Sequence, residues 1–384
     1  MPFSYKRRLE IDLPQRQSAF LWGPRQSGKT SYLKSNFGDS VYFDLLNFAE
    51  VDRFTLRPTA LGDTLAELPE GKLRYPIIID EIQNVPRLLN EVHRLIETRG
   101  LSFILCGSSA RKLKRPGVNL LGGRAWRFNM FPLSKTEIPD FDLLRAINHG
   151  LLPRHYIERD PWNLDSYLND YLETEIYNEA YVRDVVAFTR FFKALSYCHG
   201  ELLNFNGIAQ DCGVHHHTAR SYFQILVDTL VGYLIYPFTR STGRQTILRA
   251  PKFYLFDVGV AGRICDRTVS SAAGNEFGRA FEHYILMEIW MARSLLERRF
   301  QIQYWRTKSG YEVDFILGDG EVAIEVKSRV RRQRDLRPIN AFINDYKPKR
   351  AIVVVAENEA RRIGNVEVLP YGEFIAELQA GDLI

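Results

Sequence analysis

The chain has 384 residues, 45% of them hydrophobic and 25% charged, and its 51 Lys and Arg against 46 Asp and Glu give a net charge of +5. That length is ample for two or three domains whose cores need no disulfide or metal staple. The composition excludes a collagen, a coiled coil and wholesale disorder, while the mild basic excess permits nucleic acid as a partner without proving it.

No apolar run approaches the roughly 18–20 residues of a membrane helix, so no membrane partner is expected. Met1 to Leu13 is charged at once and has no apolar signal core, which predicts a cytoplasmic protein. Cys106, Cys198, Cys212 and Cys265 stand singly, against a disulfide framework or a zinc knuckle.

Up to about residue 140, short apolar runs alternate with helical patterns. Ser18 to Trp22, Val41 to Phe43, Ile77 to Ile79 and Phe103 to Cys106 read as buried strands. Leu88 to Ile96 repeats Leu, Val and Ile at three- and four-residue spacing and reads as a helix. The alternation predicts an α/β domain, residues 1–140, with a parallel sheet covered on both faces.

Directly after the first strand comes Gly23-Pro24-Arg25-Gln26-Ser27-Gly28-Lys29-Thr30, the P-loop spacing of Gly, four residues and Gly-Lys-Thr, leading into a helix expected over Ser31 to Asn36. Glycines there let successive backbone N–H groups turn onto phosphate oxygens at a helix N-terminus. The candidate cofactor-binding residues are therefore Gly23 through Ser31, with ATP as the expected ligand. Lys29 would neutralise the β- and γ-phosphates, and the Thr30 hydroxyl would ligate Mg2+.

About fifty residues on, Tyr75-Pro76-Ile77-Ile78-Ile79-Asp80-Glu81 has the Walker B form, an apolar strand ending in two acids. Asp80 would hold the magnesium and Glu81 would orient or deprotonate the attacking water. Two acids alone could merely cap a strand end; their pairing with the P-loop is what favours chemistry. The following strand ends in Gly107-Ser108-Ser109. Ser108 is a candidate for the γ-phosphate side, and a helix N-cap is the plainer role, Ser109 included. Arg124, in Gly122-Gly123-Arg124, either senses phosphate in its own or a neighbouring subunit or is a plain surface arginine.

The runs GPRQSGKT, PIIIDEIQNVPRLLNEV and GSSARKLKR followed by NLLGGRA resemble the AAA+-related, STAND-like P-loop ATPases of bacteria and archaea. In that family the P-loop module is fused to a C-terminal domain of unassigned function. The resemblance covers essentially the whole chain, most sharply up to Pro132, and implies an ATPase module with possible homo-oligomer formation.

From 141 to 250 the strand signal fades. Trp162 to Tyr181 and Val185 to Tyr197 read as amphipathic helices. Ile208 to Val214 continuing into Thr218 to Tyr222 fits a helix-turn-helix, with Gly213 at the turn. Its second helix would present His217, Arg220, Ser221 and Gln224 outward, and Tyr233 to Tyr236 could start a wing. Such a winged helix either reads a major groove or only packs against protein. His215, His216 and His217 point about 100° apart in sequence order on a helix and cannot converge on one ion.

Residues 251–384 read as a third, α/β region. It has a strand at Phe253 to Phe256, a helix at Asn275 to Leu296, and strands at Gln301–Arg306, Glu312–Leu317 and Val322–Lys327. A basic stretch and a last strand, Ala351 to Val355, follow. Asp314 and, eleven residues later, Glu325 fall on adjacent strands, and Glu325 and Lys327 share a face. Glu282 on the preceding helix is a third acid. Two or three carboxylates plus a lysine hold a divalent ion and an activated water against a phosphodiester, or else form a strand-end salt-bridge cluster.

The order of Glu282, Asp314, Glu325 and Lys327 resembles the restriction-endonuclease-like, PD-(D/E)XK core. The resemblance implies Asp314 and Glu325 as metal ligands, Lys327 as the residue that polarises water or phosphate, and Glu282 as the helix acid. Val313 stands where that family's named proline would be.

Arg329, Arg331, Arg332, Arg334 and Arg337 crowd into nine positions beside these carboxylates, either for phosphate contacts or as a solvated face. The expectation is an ATP- and Mg2+-dependent ATPase coupled to nucleic-acid binding, DNA favoured, through a winged helix and a nuclease-like domain that cleaves DNA or only binds it. An ATP-driven regulatory or assembly switch is the alternative, and a small-molecule phosphotransferase ranks last.

Overall fold

The computed structural model describes residues 5–108, 121–169, 184–240 and 250–384. Two compact units emerge, Met1–Leu133 with Asp228–Val231, and Ser134–Val227 with Gly232–Ile384.

The first unit is built on five parallel strands: β1 (Ser18–Trp22), β2 (Tyr42–Asp44), β3 (Ile77–Asp80), β4 (Phe103–Gly107) and β5 (Ala125–Asn129). They lie in the order β2-β3-β4-β1-β5. Strands covered on both faces cannot alternate, and β1, β3 and β4 are buried at every position. The helices α1 (Lys29–Asn36), α2 (Phe48–Leu56), α3 (Ala60–Ala66) and α4 (Leu88–Arg99) connect them. Leu88, Leu89, Val92, Leu95 and Ile96 turn one stripe of α4 into the core, and the helix stops where Gly100 takes a left-handed φ of 63°.

Several details depart from the sequence reading, among them β3 and β4, which each run one residue further than expected, to Asp80 and Gly107. The helix after the P-loop begins at Lys29, two residues before Ser31, and β2 lies one residue further on than Val41 to Phe43. The fifth strand had no apolar run to announce it, because β5 lies at the sheet edge and is half-exposed. Ser109 lies outside the described residues.

In the second unit, six helices among the described residues precede the sheet: α5 (Leu143–His149), α6 (Pro153–Glu158), α7 (Pro161–Ser166), α8 (Val185–Cys198), α9 (Phe205–Cys212) and α10 (His216–Asp228). The helix expected over Trp162 to Tyr181 is described only as α7, since residues 170–183 lie outside the described set. Between α9 and α10 the chain turns at Gly213, which takes φ 70°. Asn204 caps α9 by accepting from the Gly207 N–H.

Eight strands follow: β6 (Gly232–Pro237), β7 (Lys252–Leu255), β8 (Ile302–Arg306), β9 (Glu312–Leu317), β10 (Val322–Lys327), β11 (Arg350–Val355), β12 (Arg361–Ile363) and β13 (Val366–Pro370). Their order is β12-β13-β11-β10-β9-β8-β6-β7. The strand expected to start a wing, β6, pairs antiparallel with β7 and parallel with β8 inside this sheet. Helices α11 (Val258–Ile264), α12 (Gly274–Leu295), α13 (Arg337–Tyr346) and α14 (Tyr371–Ala380) complete the unit. The strand at Ala351 to Val355 is therefore not the last; β12, β13 and α14 come after it.

One buried acid ties distant parts of this unit together. Glu288 on α12 is 1% exposed and accepts from the Ser134 hydroxyl at 2.8 Å, the Lys135 N–H at 2.9 Å and the Tyr284 hydroxyl at 3.0 Å. The amide of Gln379 on α14 donates to the same Ser134 hydroxyl at 2.8 Å. Burial raises the Glu288 carboxyl above its ordinary value, and the three donors oppose that rise. Glu288→Ala leaves these donors buried without an acceptor, so it should destabilise the protein by about 2–4 kcal/mol. Chemical denaturation of the full chain, followed by far-UV circular dichroism, measures the loss.

Candidate functional site

The carboxyl ends of the parallel strands form one row in the first unit. Register places Trp22 of β1 beside Gly107 of β4 and Asn129 of β5, and Asp44 of β2 beside Asp80 of β3. Whatever follows Trp22, Asp80 and Gly107 therefore emerges at the same edge, which is where ligands sit in open α/β sheets.

After Trp22 the chain has little room. A Cβ on Gly23 would collide with the Met130 carbonyl oxygen, so only glycine fits there. Gly28 takes φ 95° and releases the chain into α1, whose first turn leaves backbone N–H groups for an acceptor outside the helix. Within the loop Gly23, Pro24 and Ser27 are buried, Arg25 and Gly28 are half-buried, and Gln26, Thr30 and Ser31 are exposed.

Lys29 is 5% exposed, and its ammonium donates to the Gly23 and Pro24 carbonyls, each at 2.9 Å. The Thr30 hydroxyl donates to Asp80 Oδ2 at 2.7 Å, and Asp80 Oδ1 accepts the Glu81 N–H at 3.0 Å. Lys29, Thr30, Asp80 and Glu81 are thus collected at one strand-end row.

Several partners here carry no local sequence signal. The Tyr42 hydroxyl also donates to Asp80 Oδ2, and burial followed by that carboxylate pushes the phenol well up. Gln83 donates from Nε2 both to Glu81 and, at 3.1 Å, to the Ser108 hydroxyl. That amide joins Glu81 to Ser108, and Gln83 Oε1 is buried with no hydrogen-bond partner. Glu81 itself has φ 56°, a left-handed backbone unusual for a residue with a side chain. Arg7 reaches the Ser27 carbonyl and the Phe131 carbonyl, both at 2.6 Å.

Arg124 does not join this row. It immediately precedes β5, whose first residue, Ala125, pairs with Ser18 at the opposite end of β1. Its guanidinium is engaged with Glu97 and with the Gly122 carbonyl at 3.1 Å. That placement puts Arg124 at the end of the sheet away from the P-loop.

The second unit gathers acids at its sheet. β9 and β10 run antiparallel with Phe315 beside Ile324, and the next step brings Asp314 to Glu325. Asp314 Oδ2 accepts the Val326 N–H at 2.7 Å. Glu325 is 5% exposed; Lys327 donates to its Oε1 at 2.6 Å, and its Oε2 is buried with no hydrogen-bond partner. Glu282 on α12 accepts from the Tyr254 hydroxyl and lies 3.5 Å from the Lys252 ammonium. Lys252 also pairs with Glu312, which meets Arg306 at 3.2 Å. Lys252, Tyr254 and Glu312 were invisible to motif reading.

Electrostatics tie the acids together. Burial pushes the Asp314 carboxyl well above its usual range, and Glu325 and Glu282 push it further. Burial raises Glu325 to about 7 against the opposing pull of Lys327. Burial would lower Lys252, yet Tyr254, Glu282, Glu312 and Asp314 hold it protonated well above its ordinary value. Among the described residues no three His, Cys, Asp or Glu side chains stand at ready-made metal-ligand spacing. Glu325 Oε2 is buried without a hydrogen-bond partner at a place where other carboxylates are already crowded.

Around these acids Arg329, Arg331, Arg332, Arg334 and Arg337 are all exposed. On α10 and the turn before it, His215, His216, His217, Arg220, Ser221 and Gln224 are exposed as well. No helix among the described residues is long and apolar enough to cross a membrane.

Three family models match consecutive stretches: an AAA domain over residues 15–139, a domain of unknown function (DUF8612) over 141–270, and another (DUF4143) over 277–374. The chain is 24% identical to an uncharacterized protein of Mycobacterium tuberculosis, over 98% of this chain and 85% of that one. A Mycobacterium bovis protein, also described as uncharacterized, matches to the same extent. An uncharacterized protein of Methanocaldococcus jannaschii is 22% identical over 89% of this chain and 82% of its own length. The AAA match and the five-stranded parallel sheet together support a P-loop NTPase-like α/β module in the N-terminal part of the chain.

Proposed function

We propose that the N-terminal unit is an Mg2+-dependent ATPase and that the C-terminal part binds nucleic acid, DNA in preference, at a phosphodiester-cleaving acid cluster. The observation that carries the ATPase reading is the meeting of Lys29, Thr30, Asp80 and Glu81 at one strand-end row.

In this reading the N–H groups of residues 23–31 cradle the α- and β-phosphates. Lys29 exchanges its two loop carbonyls for β- and γ-phosphate oxygens. Thr30 and Asp80 would hold Mg2+, which supplies charge neutralisation to the phosphates. Glu81 orients the attacking water and takes its proton, while Gln83 and Ser108 hold that carboxylate in place.

At the acid cluster, Asp314 and Glu325 would hold a divalent ion with Glu282 as the third acid; the ion supplies Lewis-acid activation. Lys327, already on Glu325, polarises the water or the phosphate oxygen. The exposed arginines contact neighbouring phosphates, and α10 is the element offered to a groove. ATP turnover alters how these parts engage DNA. A chain that binds DNA without cutting it would instead be an ATP-driven regulatory or assembly switch.

Lys29→Ala should abolish ATP binding in equilibrium dialysis, whereas Glu81→Gln should keep binding and lower kcat by about 10²-fold or more. Gly23→Ala should lose both, with a stability cost of about 1–3 kcal/mol from the Met130 collision. ATP turnover unchanged by Lys29→Ala removes the ATPase reading.

For the acid cluster, Asp314→Ala should stop Mg2+- or Mn2+-dependent cleavage of plasmid DNA and leave DNA binding intact. Replacing Arg331, Arg332 and Arg334 by Ala should lower the slope of log affinity against log salt by roughly 0.7–0.9 for each phosphate no longer neutralised. Unchanged affinity and slope in the triple variant count against the basic surface as the nucleic-acid contact.

A further inference from the structure

We infer that Tyr42 is a positioning residue of the nucleotide site, its hydroxyl fixing Asp80 so that the Thr30 oxygen is left free for the magnesium ion. This rests on the ATP- and Mg2+-binding reading of Thr30 and Asp80 given above.

Tyr42 opens β2, a strand of three residues at the edge of the parallel sheet. It stands two residues before Asp44, so the two side chains share a face. Register sets Asp44 beside Asp80 and Tyr42 beside Ile78. The ring is half-buried, and the Lys34 ammonium of α1 lies over it, 5.4 Å from its centre. Tyr42 therefore ties the edge strand to β3 and, through Lys34, to the helix that follows the P-loop.

Asp80 is only 2% exposed, and a carboxylate so buried is costly unless donors surround it. Its Oδ1 accepts the Glu81 N–H at 3.0 Å. Its Oδ2 accepts two hydroxyls, that of Thr30 at 2.7 Å and that of Tyr42. A carboxylate oxygen has about two acceptor positions, so with Tyr42 on one of them the Thr30 proton has a single place to go. A Thr30 hydroxyl aimed in this way turns its own lone pairs away from Asp80. They become the hard oxygen ligand that Mg2+ takes.

The other groups around Asp80 are poorly suited to this task. Burial first and Asp80 next hold the Cys106 thiol protonated well above its usual range, and a thiol is a weak donor. Lys29 gives its ammonium to the Gly23 and Pro24 carbonyls. Asp44 brings a second negative charge, and its Oδ1 takes the Leu46 N–H at 2.9 Å.

The test is binding of mant-ATP to the full chain, followed by fluorescence across a Mg2+ titration and separately in EDTA. Tyr42→Phe keeps the ring and the Lys34 contact and removes the hydroxyl alone. We expect the Mg2+ concentration at half-effect to rise about 10-fold or more, the usual scale for a residue that orients a metal site from behind. Affinity in EDTA should not change. Tyr42→Met serves if the Phe variant does not fold, as judged by circular dichroism. An unchanged Mg2+ midpoint overturns the inference, and so does an equal loss of affinity with and without Mg2+, which would make Tyr42 a packing residue of β2. Both outcomes leave the ATP reading standing. Wild-type binding that ignores Mg2+ removes the magnesium reading of Thr30 and Asp80, and the inference with it.

Discussion

The N-terminal unit depends on where β1 is made to stop. Beyond Trp22 the backbone passes the Met130 carbonyl too closely for any side chain, while the Met130 N–H holds the Trp22 carbonyl at 2.6 Å. The strand cannot simply continue; it turns, and Gly28 at φ 95° delivers it into α1. A helix begun this way has N–H groups with no intrahelical acceptor, so the constraint that ends the strand also makes the anion cradle. Arg7 secures the arrangement by joining the loop at Ser27 to the segment after β5 at Phe131. Parallel register does the rest, because Asp80 and Gly107 end their strands at the same edge.

The second unit solves a different problem. Its acids are side chains placed on adjacent strands rather than backbone groups at a strand end, so burial works against them. Asp314 and Glu325 are both driven upward by desolvation, and each is raised further by a neighbouring acid. Such a cluster survives folding only with cations inside it, which is the physical reason for Lys252 and Lys327. A cradle of N–H groups needs no such counter-charge; a cradle of carboxylates does.

This difference explains what the sequence could and could not disclose. The strands Glu312–Leu317 and Val322–Lys327 were legible to the residue, since an apolar pattern and a Gly-containing turn bound both. The P-loop and the Asp80-Glu81 pair were legible because their spacing is itself the chemistry. Tyr42, Gln83 and Arg7 were not, for each acts on a residue brought to it only by the fold. Lys252 and Glu312 were missed for the same reason, since Lys252 is separated by a long stretch of chain from its partners. β5 and β12 escaped because edge strands need no apolar run; Ala125–Asn129 and Arg361–Ile363 are both partly exposed. The strand end that Arg124 occupies was not legible either, because Gly-Gly-Arg says nothing about it.

The net charge of +5 describes neither site. Near the acid cluster, Asp335 accepts the N–H groups of Arg331 and Arg332, each at 3.0 Å, which fixes the backbone of the basic run. Those hydrogen bonds keep the Asp335 carboxyl below its usual range. Its charge is thus directed to the backbone, and the nearest guanidinium, Arg334, stands 4.0 Å away. Five exposed arginines project one sign of charge into solvent, whereas the acids beside them, Glu325 buried and Glu282, Glu312 and Asp314 half-buried, are largely matched by internal cations. An anion approaching this face meets the arginine field first, and the acid cluster acts on it only at short range.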